Sequence, residues 1–332
     1  MKTLIKQLVE SIAPSGYEKA VRDLVHNQIK PHVDEIQIDA LGNLIARKGK
    51  KGNGGLRVML AAHMDEIGLI TTHIDENGFV RFAPIGGVSP LTCLGGRVLF
   101  LDGTPGVIGI EKTSRQAGTL PTFEHLFIDV GASSKEACPV RIGSLAVFDR
   151  YFQELGENLV AKAMDDRIGV AVLIQTICEL KKSPHELYFV FSAQEEVGTR
   201  GAGPAAYGTD PELGLSIDVT RTGDTPKAIK MAVSLGKGPA IKIRDSGMLS
   251  DPRLVQCLIN RAESANIPYQ LEVLEEGSTD ARAIQISRAG VPSGCVSIPC
   301  RYIHSPSEMV NYNDVVNTVK LLVEFLSQAI EL

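Results

Sequence analysis

The chain has 332 residues, of which 44% are hydrophobic and 22% charged, enough for one large core or two ordinary ones. Its 34 basic and 39 acidic residues give a net charge of −5, and the basic residues are dispersed, which argues against a nucleic-acid or anionic-membrane partner. No segment approaches the roughly 20 apolar residues of a membrane span, and the first residues lack the unbroken apolar run of a signal peptide, so a soluble, cytoplasmic protein is expected.

Taken in chain order, Leu4, Ile5, Leu8, Val9 and Ile12 have the spacing of a first helix. In "APSGYE", Ser15 with Glu18 three residues later predicts a capping box opening a second helix through about Ile29. The polar, glycine-rich "KGKKGNGG" predicts an exposed hairpin tip, and "LRVMLAAHMD" a buried strand around Val58–Ala62. From Glu66 to about Glu157, short alternating runs punctuated by Gly and Pro predict a small all-β module.

From Asn158, strand and helix alternate. Helices are expected at 167–182, 202–207, 252–265 and 280–289, with a last one from about Asp314; strands are expected in "ELYFVFSA", "LGLSI", "YQLEVLEE" and "SGCVSIP". This is an α/β pattern, a mixed sheet sandwiched by helices. The strand near Val58 lacks a partner unless it joins that later sheet, so residues 1–65 and 157–332 are read as one domain, interrupted at 66–156 by a β-barrel-like insertion.

Four apolar runs end in residues able to bind metal: His63-Met64-Asp65, Glu195-Glu196, Asp218 and His304. In open α/β sheets, sites form beyond the carboxyl ends of the strands, where these residues would converge. Asp165 and Asp166 add a pair at a helix N-terminus, where the macrodipole accounts for one aspartate but not for both. Singly, each has an ordinary reading as a core histidine, a solvated loop or a turn; together they require several coincidences at equivalent strand ends. The six cysteines include no Cys-x-x-Cys pair, so a thiolate zinc site is not suggested. Two histidines with three or four carboxylates suit zinc, cobalt or manganese, and the number of ligands suits two ions sharing one carboxylate.

The motifs "APSGYE", "AAHMDEIG", "AMDDRIG", "AQEEVGTRGA", "SIDVT", "GSTDA" and "YIHSPSEM", in this order over nearly the whole chain, resemble the M42 family of metallo-aminopeptidases. The resemblance implies a zinc-peptidase-like fold in which His63 and Asp218 hold one metal, Glu196 and His304 the other, and Asp165 bridges them. It further implies a cis peptide between Asp165 and Asp166, Glu195 as the general base acting on a water activated by two metals, and Asp65 as the carboxylate that fixes the His63 tautomer. Two divalent ions per subunit follow, zinc first, cobalt or manganese otherwise. Gly277, Ser278, Thr279 and Asp280 resemble a substrate-binding loop, although a helix N-cap at Ser278 or Thr279 explains them equally well; Thr220 and Arg221 are weaker pocket candidates. The implied substrate is a peptide cleaved at its N-terminus, and the implied assembly a homo-dodecamer of dimers joined through residues 66–156. A deacylase or dipeptidase on the same two-metal core, an endoglucanase, and a metal-stabilised protein without activity are the competing readings.

Overall fold

A computed structural model of the chain describes residues 1–112 and 120–331. Four parallel strands, Glu186–Ser192, Arg57–His63, Leu213–Thr220 and Ser293–Arg301, lie side by side in that order at the centre of an eleven-stranded sheet. Antiparallel strands extend it on both sides, Leu44–Lys48 and Glu35–Ile38 beyond the first, Glu308–Asn311, Asn158–Ala161 and Gln153–Leu155 beyond the last. Ala240–Arg244 and Gln270–Val273 attach to Ser293–Arg301 as a side branch. The sheet is therefore mixed, as expected, and the strand at Arg57–His63 does join those formed by the second half of the chain.

Burial on both faces explains why these strands read as unbroken apolar runs. Along Arg57–His63 the side chains alternate: Val58, Leu60 and Ala62 enter one hydrophobic cluster, and Met59 and Ala61 enter another. The first cluster lies under the helices Lys2–Glu10, Lys19–Ile29, Met164–Glu179 and Tyr312–Leu326. The second lies under Ala202–Thr209 and Asp280–Gln285. Met164–Glu179 is apolar nearly all round because it is enclosed nearly all round, with Val170, Ala171, Val172 and Leu173 at 0% exposure.

The β module is a closed six-stranded antiparallel barrel with neighbours in the order Gly68–Ile74, Val80–Ile85, Leu126–Asp129, Pro105–Ile110, Arg97–Phe100 and Leu145–Phe148. Closure leaves no free edge, and Leu69, Val80, Phe82, Phe100, Ile128 and Phe148 fill a core of its own.

Several local expectations are corrected. "KGKKGNGG" is exposed in part but is no hairpin tip, because Glu186–Ser192 lies between the two strands it connects. Ser15 and Glu18 form no capping box: the second helix starts at Lys19 without a side-chain cap. The helix expected at 280–289 ends at Gln285, and the one expected from 167 begins at Met164, with Asp165 and Asp166 in non-helical conformations.

Candidate metal centre

The parallel strands place their carboxyl ends together, with Ser192 in register with His63 and Asp218 with Ser297. A cavity of about 320 Å³ opens there, lined by His63, Asp165, Glu195, Glu196, Asp218 and His304. The structure thus brings together all the expected metal ligands and the expected base. His63, Asp165 and Asp218 are buried, whereas Glu195, Glu196 and His304 are half-buried. Asp65 is fully buried behind them.

Asp165 faces both histidines. Its Oδ1 is 3.0 Å from His63 Nε2 and its Oδ2 3.3 Å from His304 Nε2, which is itself 3.3 Å from Glu196 Oε2. Two groups of three ligand atoms each lie within 4.8 Å of one another, His63 with Asp165 and Glu196, and His63 with Asp166 and Asp218. Asp166 is already engaged: its Oδ2 accepts from the His63 amide at 3.3 Å and its Oδ1 from the Gly169 amide at 3.1 Å. Gly169 is required there, since a Cβ on it would lie 2.4 Å from both oxygens. The Asp165–Asp166 peptide is cis.

The backbone that carries these residues is held by side chains. In the loop after Ser192, the amide of Ala193 donates to Asn43 Oδ1 at 2.8 Å and that of Gln194 to Glu18 Oε1 at 3.1 Å. The next two amides, of Glu195 and Glu196, donate to Asp65 Oδ1 at 3.0 Å and Oδ2 at 3.2 Å. Ser15 Oγ donates to the same Oδ2 at 2.6 Å. Asp65 is accordingly first a clamp on the glutamate loop. His63 Nδ1 is nearer its backbone oxygen, at 3.2 Å, than its carboxylate, at 3.5 Å. Glu308 holds the amides of Asp165 and His304 in the same manner.

Concentrated negative charge sets the electrostatics. Burial first, then the charges of Asp218 and Asp280, push the Glu195 carboxyl well above the usual carboxylate range against the pull of His63. Asp218 is raised by burial and by Asp165, and Glu196 likewise. Asp165 goes the other way, held low against its burial by His304 and His63. The histidines compensate: burial disfavours the charged His304 ring, yet Asp165 and Glu196 drive it up to about 12. Divalent cations fit this arrangement. The donors are oxygen and nitrogen only, Glu196 Oε1 is buried with no partner among the described residues, and His304 Nε2 lies 3.3 Å from each of two carboxylates, so that these three side chains could hold one ion together.

The expected substrate loop divides. Gly277, Ser278 and Thr279 line the cavity, as do Thr220 and Arg221, and Thr279 also caps the following helix by accepting from the Ala281 amide at 3.3 Å. Asp280 does not line the cavity; it is buried, bonded to Ser192 Oγ through Oδ2, with Oδ1 unpartnered. Residues that the sequence reading passed over include Glu308, Lys242, which lines the cavity and pairs with Glu272 at 3.1 Å, and Gly87. A Cβ on Gly87 would lie 2.3 Å from His304 Nδ1.

Two histidines among carboxylates, beyond the carboxyl ends of the four parallel strands of a helix-covered sheet, form a donor set that fits divalent metal ions. The chain belongs to the M42 glutamyl aminopeptidase family, whose profile matches residues 42–321. It is similar to the lysyl aminopeptidase of Pyrococcus furiosus, with 38% identity over 98% of this chain and 96% of the relative. Its backbone is similar to that of an aminopeptidase from Desulfurococcus kamchatkensis, with TM-score 0.94 and 44% identity over 99% of this chain and 94% of the other. It is also similar to the TET1 peptidase of Pyrococcus horikoshii, described as assembling into a tetrahedron or a large octahedral shell, with TM-score 0.86 and 33% identity over 100% and 99% of the two chains. The protein is therefore a peptide hydrolase of the aminopeptidase class. None of its described helices is long and apolar enough to cross a membrane.

Proposed function

We propose that the protein removes N-terminal residues from peptides at a centre of two divalent metal ions, zinc in the first instance. The observation that carries the reading is the posture of Asp165, with one oxygen toward His63 and the other toward His304. On this assignment Asp165 bridges, His63 and Asp218 complete one ion's ligands, and Glu196 and His304 complete the other's. The unpartnered Glu196 Oε1 supports the same assignment. When bound, the ions supply Lewis acidity toward the scissile carbonyl and toward water.

The remaining chemistry belongs to the chain. Glu195, 4.0 Å from His63 Nε2, lines the cavity and is not needed as a ligand. Its carboxyl, pushed above the usual carboxylate range first by burial, takes a proton from the attacking water and returns it to the departing amine. Asp65, through the amides of Glu195 and Glu196, sets the distance between base and ligand. Gly277, Ser278 and Thr279 form the wall against which the substrate's first residue lies. The barrel, on which Leu91, Leu94, Val107 and Ile142 are exposed, is assigned to the dimer contact within a dodecamer like that described for a similar TET1 structure. The family profile and the curated relatives, all named aminopeptidases, favour this reading over a deacylase, dipeptidase or endoglucanase, although two similar solved structures carry endoglucanase in their names.

The test is metal content with activity on paired substrates. Two zinc ions per chain are expected, together with hydrolysis of an unblocked peptide, none of its N-acetylated form, and loss of activity on chelation that zinc restores. Asp165→Asn should lose metal. Full metal content and rate in that variant would overturn the assignment.

A further inference from the structure

We propose that Glu308 is a positioning residue: its single carboxylate fixes the gap between Asp165 and His304. The inference rests on the assignment of those two residues as metal ligands. Glu308 is 1% exposed, and its hydrogen bonds go to two backbone amides of the site. Its Oε2 accepts from the Asp165 amide at 2.9 Å and its Oε1 from the His304 amide at 2.8 Å.

The fold explains how one side chain reaches both. Glu308 opens the strand Glu308–Asn311 and lies opposite Ala161, the last residue of Asn158–Ala161. Four residues beyond Ala161 the chain arrives at Asp165; four residues before Glu308 it leaves His304. The carboxylate thus sits between two segments that approach the site from adjacent strands. Neither Asp165 nor His304 has regular backbone of its own: Asp165 is non-helical at the start of Met164–Glu179, and His304 lies between two strands. His304 has φ +61° and Ala163 φ +55°, conformations that non-glycine residues seldom adopt and that surrounding contacts must enforce. The strand hydrogen bonds end before Asp165 and before His304, so the clamp supplies what the ladder does not.

The residue type follows from the geometry. Two N–H donors converge on one side chain, each on its own oxygen, and only a carboxylate offers two acceptor oxygens in a fork. A glutamine of the same shape would satisfy one amide and turn its own NH2 group against the other. A glutamate placed here only to end a turn would need the His304 amide alone; its second oxygen would be free to face water or a cation. Instead that oxygen is spent on the residue that faces both histidines.

The experiment compares the holoenzyme with Glu308→Gln in three readings: zinc affinity by competition with a chromophoric chelator, kcat and KM on an unblocked aminoacyl nitroanilide, and thermal unfolding. Removal of a group that orients a ligand costs about 10–100-fold in metal affinity or rate, so zinc affinity and kcat should each fall by about that factor, with KM within about threefold. If Glu308→Gln does not fold, Glu308→Asp takes its place; it keeps the charge, is one methylene short of spanning both amides, and should fall in the same direction. Parent-like zinc affinity and kcat in the variant measured overturn the clamp, even if Tm drops, because a merely structural role would move Tm alone. A parent protein that holds no zinc, cobalt or manganese overturns the ligand assignment and the clamp with it; a metal-loaded parent matched by its variant overturns the clamp alone.

Discussion

Asp65→Asn separates two roles for a buried carboxylate beside a metal-site histidine. Asp65 accepts from the amides of Glu195 at 3.0 Å and Glu196 at 3.2 Å and from Ser15 Oγ at 2.6 Å. Asparagine offers one acceptor oxygen and one donor group, so in either orientation a backbone N–H of the glutamate loop faces a donor. A buried N–H left unsatisfied costs about 1–3 kcal/mol. If that cost is relieved by moving the loop, Glu195 leaves the position from which it takes a proton, and kcat should fall about 5–150-fold at the conversion of 1.4 kcal/mol per factor of ten. His63 keeps its nearer contact, the Asp65 backbone oxygen at 3.2 Å, so zinc content should stay at the parent level. The assay is steady-state kinetics beside metal analysis, with near-UV circular dichroism to confirm an intact fold. Ser15→Ala is the control: it removes one donor but leaves both amides satisfied, and should cost less than about fivefold, since Ser15 is half-buried and water can replace it. A folded Asp65→Asn that loses zinc rather than rate would show that the carboxylate acts through His63. One with parent kcat would refute the loop argument.

Two further expectations concern stability. Arg167 is fully buried, donating to the backbone oxygens of Leu8, Ser11 and Ala13 and to Glu66; Arg167→Met should destabilise by about 3–5 kcal/mol in urea unfolding because it strands those acceptors, and a loss under about 1 kcal/mol would count against that account. Asp224 is held down to about 2, first by its hydrogen bonds to Arg301, so its contribution is present above the ordinary carboxyl value and lost as pH falls toward 2. Asp224→Asn should cost about 1–2 kcal/mol at neutral pH, after allowance for partial exposure, and its deficit should shrink between about pH 4 and pH 2; a constant deficit across that range would contradict the sign.

What the sequence made legible were the residues at the ends of apolar runs. His63, Glu195, Glu196, Asp218 and His304 could be found because a buried strand is recognisable and its carboxyl end is a fixed place in the fold. Asp165 could be found because a helix dipole explains one aspartate and leaves another over. The supports were not legible. Ser15 and Glu18 have the spacing of a capping box, yet Ser15 bonds to Asp65, 50 residues away, and Glu18 to the Gln194 amide, 176 residues away. A local pattern competes with a distant partner, and only the distant partner leaves no trace in spacing. The hairpin Glu35–Ile38 with Leu44–Lys48 escaped notice for a different reason: its outer strand is largely exposed and therefore has no apolar run to announce it. Glu308 had one available signal, a carboxylate four residues after a candidate ligand and ahead of a helix that Asn311, not Glu308, caps.

The position of the inserted barrel also follows from the site. The chain leaves the sheet at His63, passes Asp65 and Glu66, and enters the barrel at Gly68, so the insertion begins within the site's own wall. Glu66 anchors that exit: its Oε2 pairs with Lys162 at 2.7 Å and its Oε1 with Arg167 at 3.2 Å, and these two residues flank the Asp165–Asp166 pair. The barrel then returns to the site through its Gly86-Gly87 loop. Gly87 lies so close to the His304 ring that a Cβ would overlap it, and a Cβ on Gly86 would lie 3.1 Å from Glu196 Oε2. His304 is therefore confined from two sides, its backbone amide by Glu308 and its ring by the barrel. A displacement of the barrel relative to the sheet would reach His304 and Glu196 through these two glycines. The barrel is thus in van der Waals contact with the centre, and seating the one constrains the other.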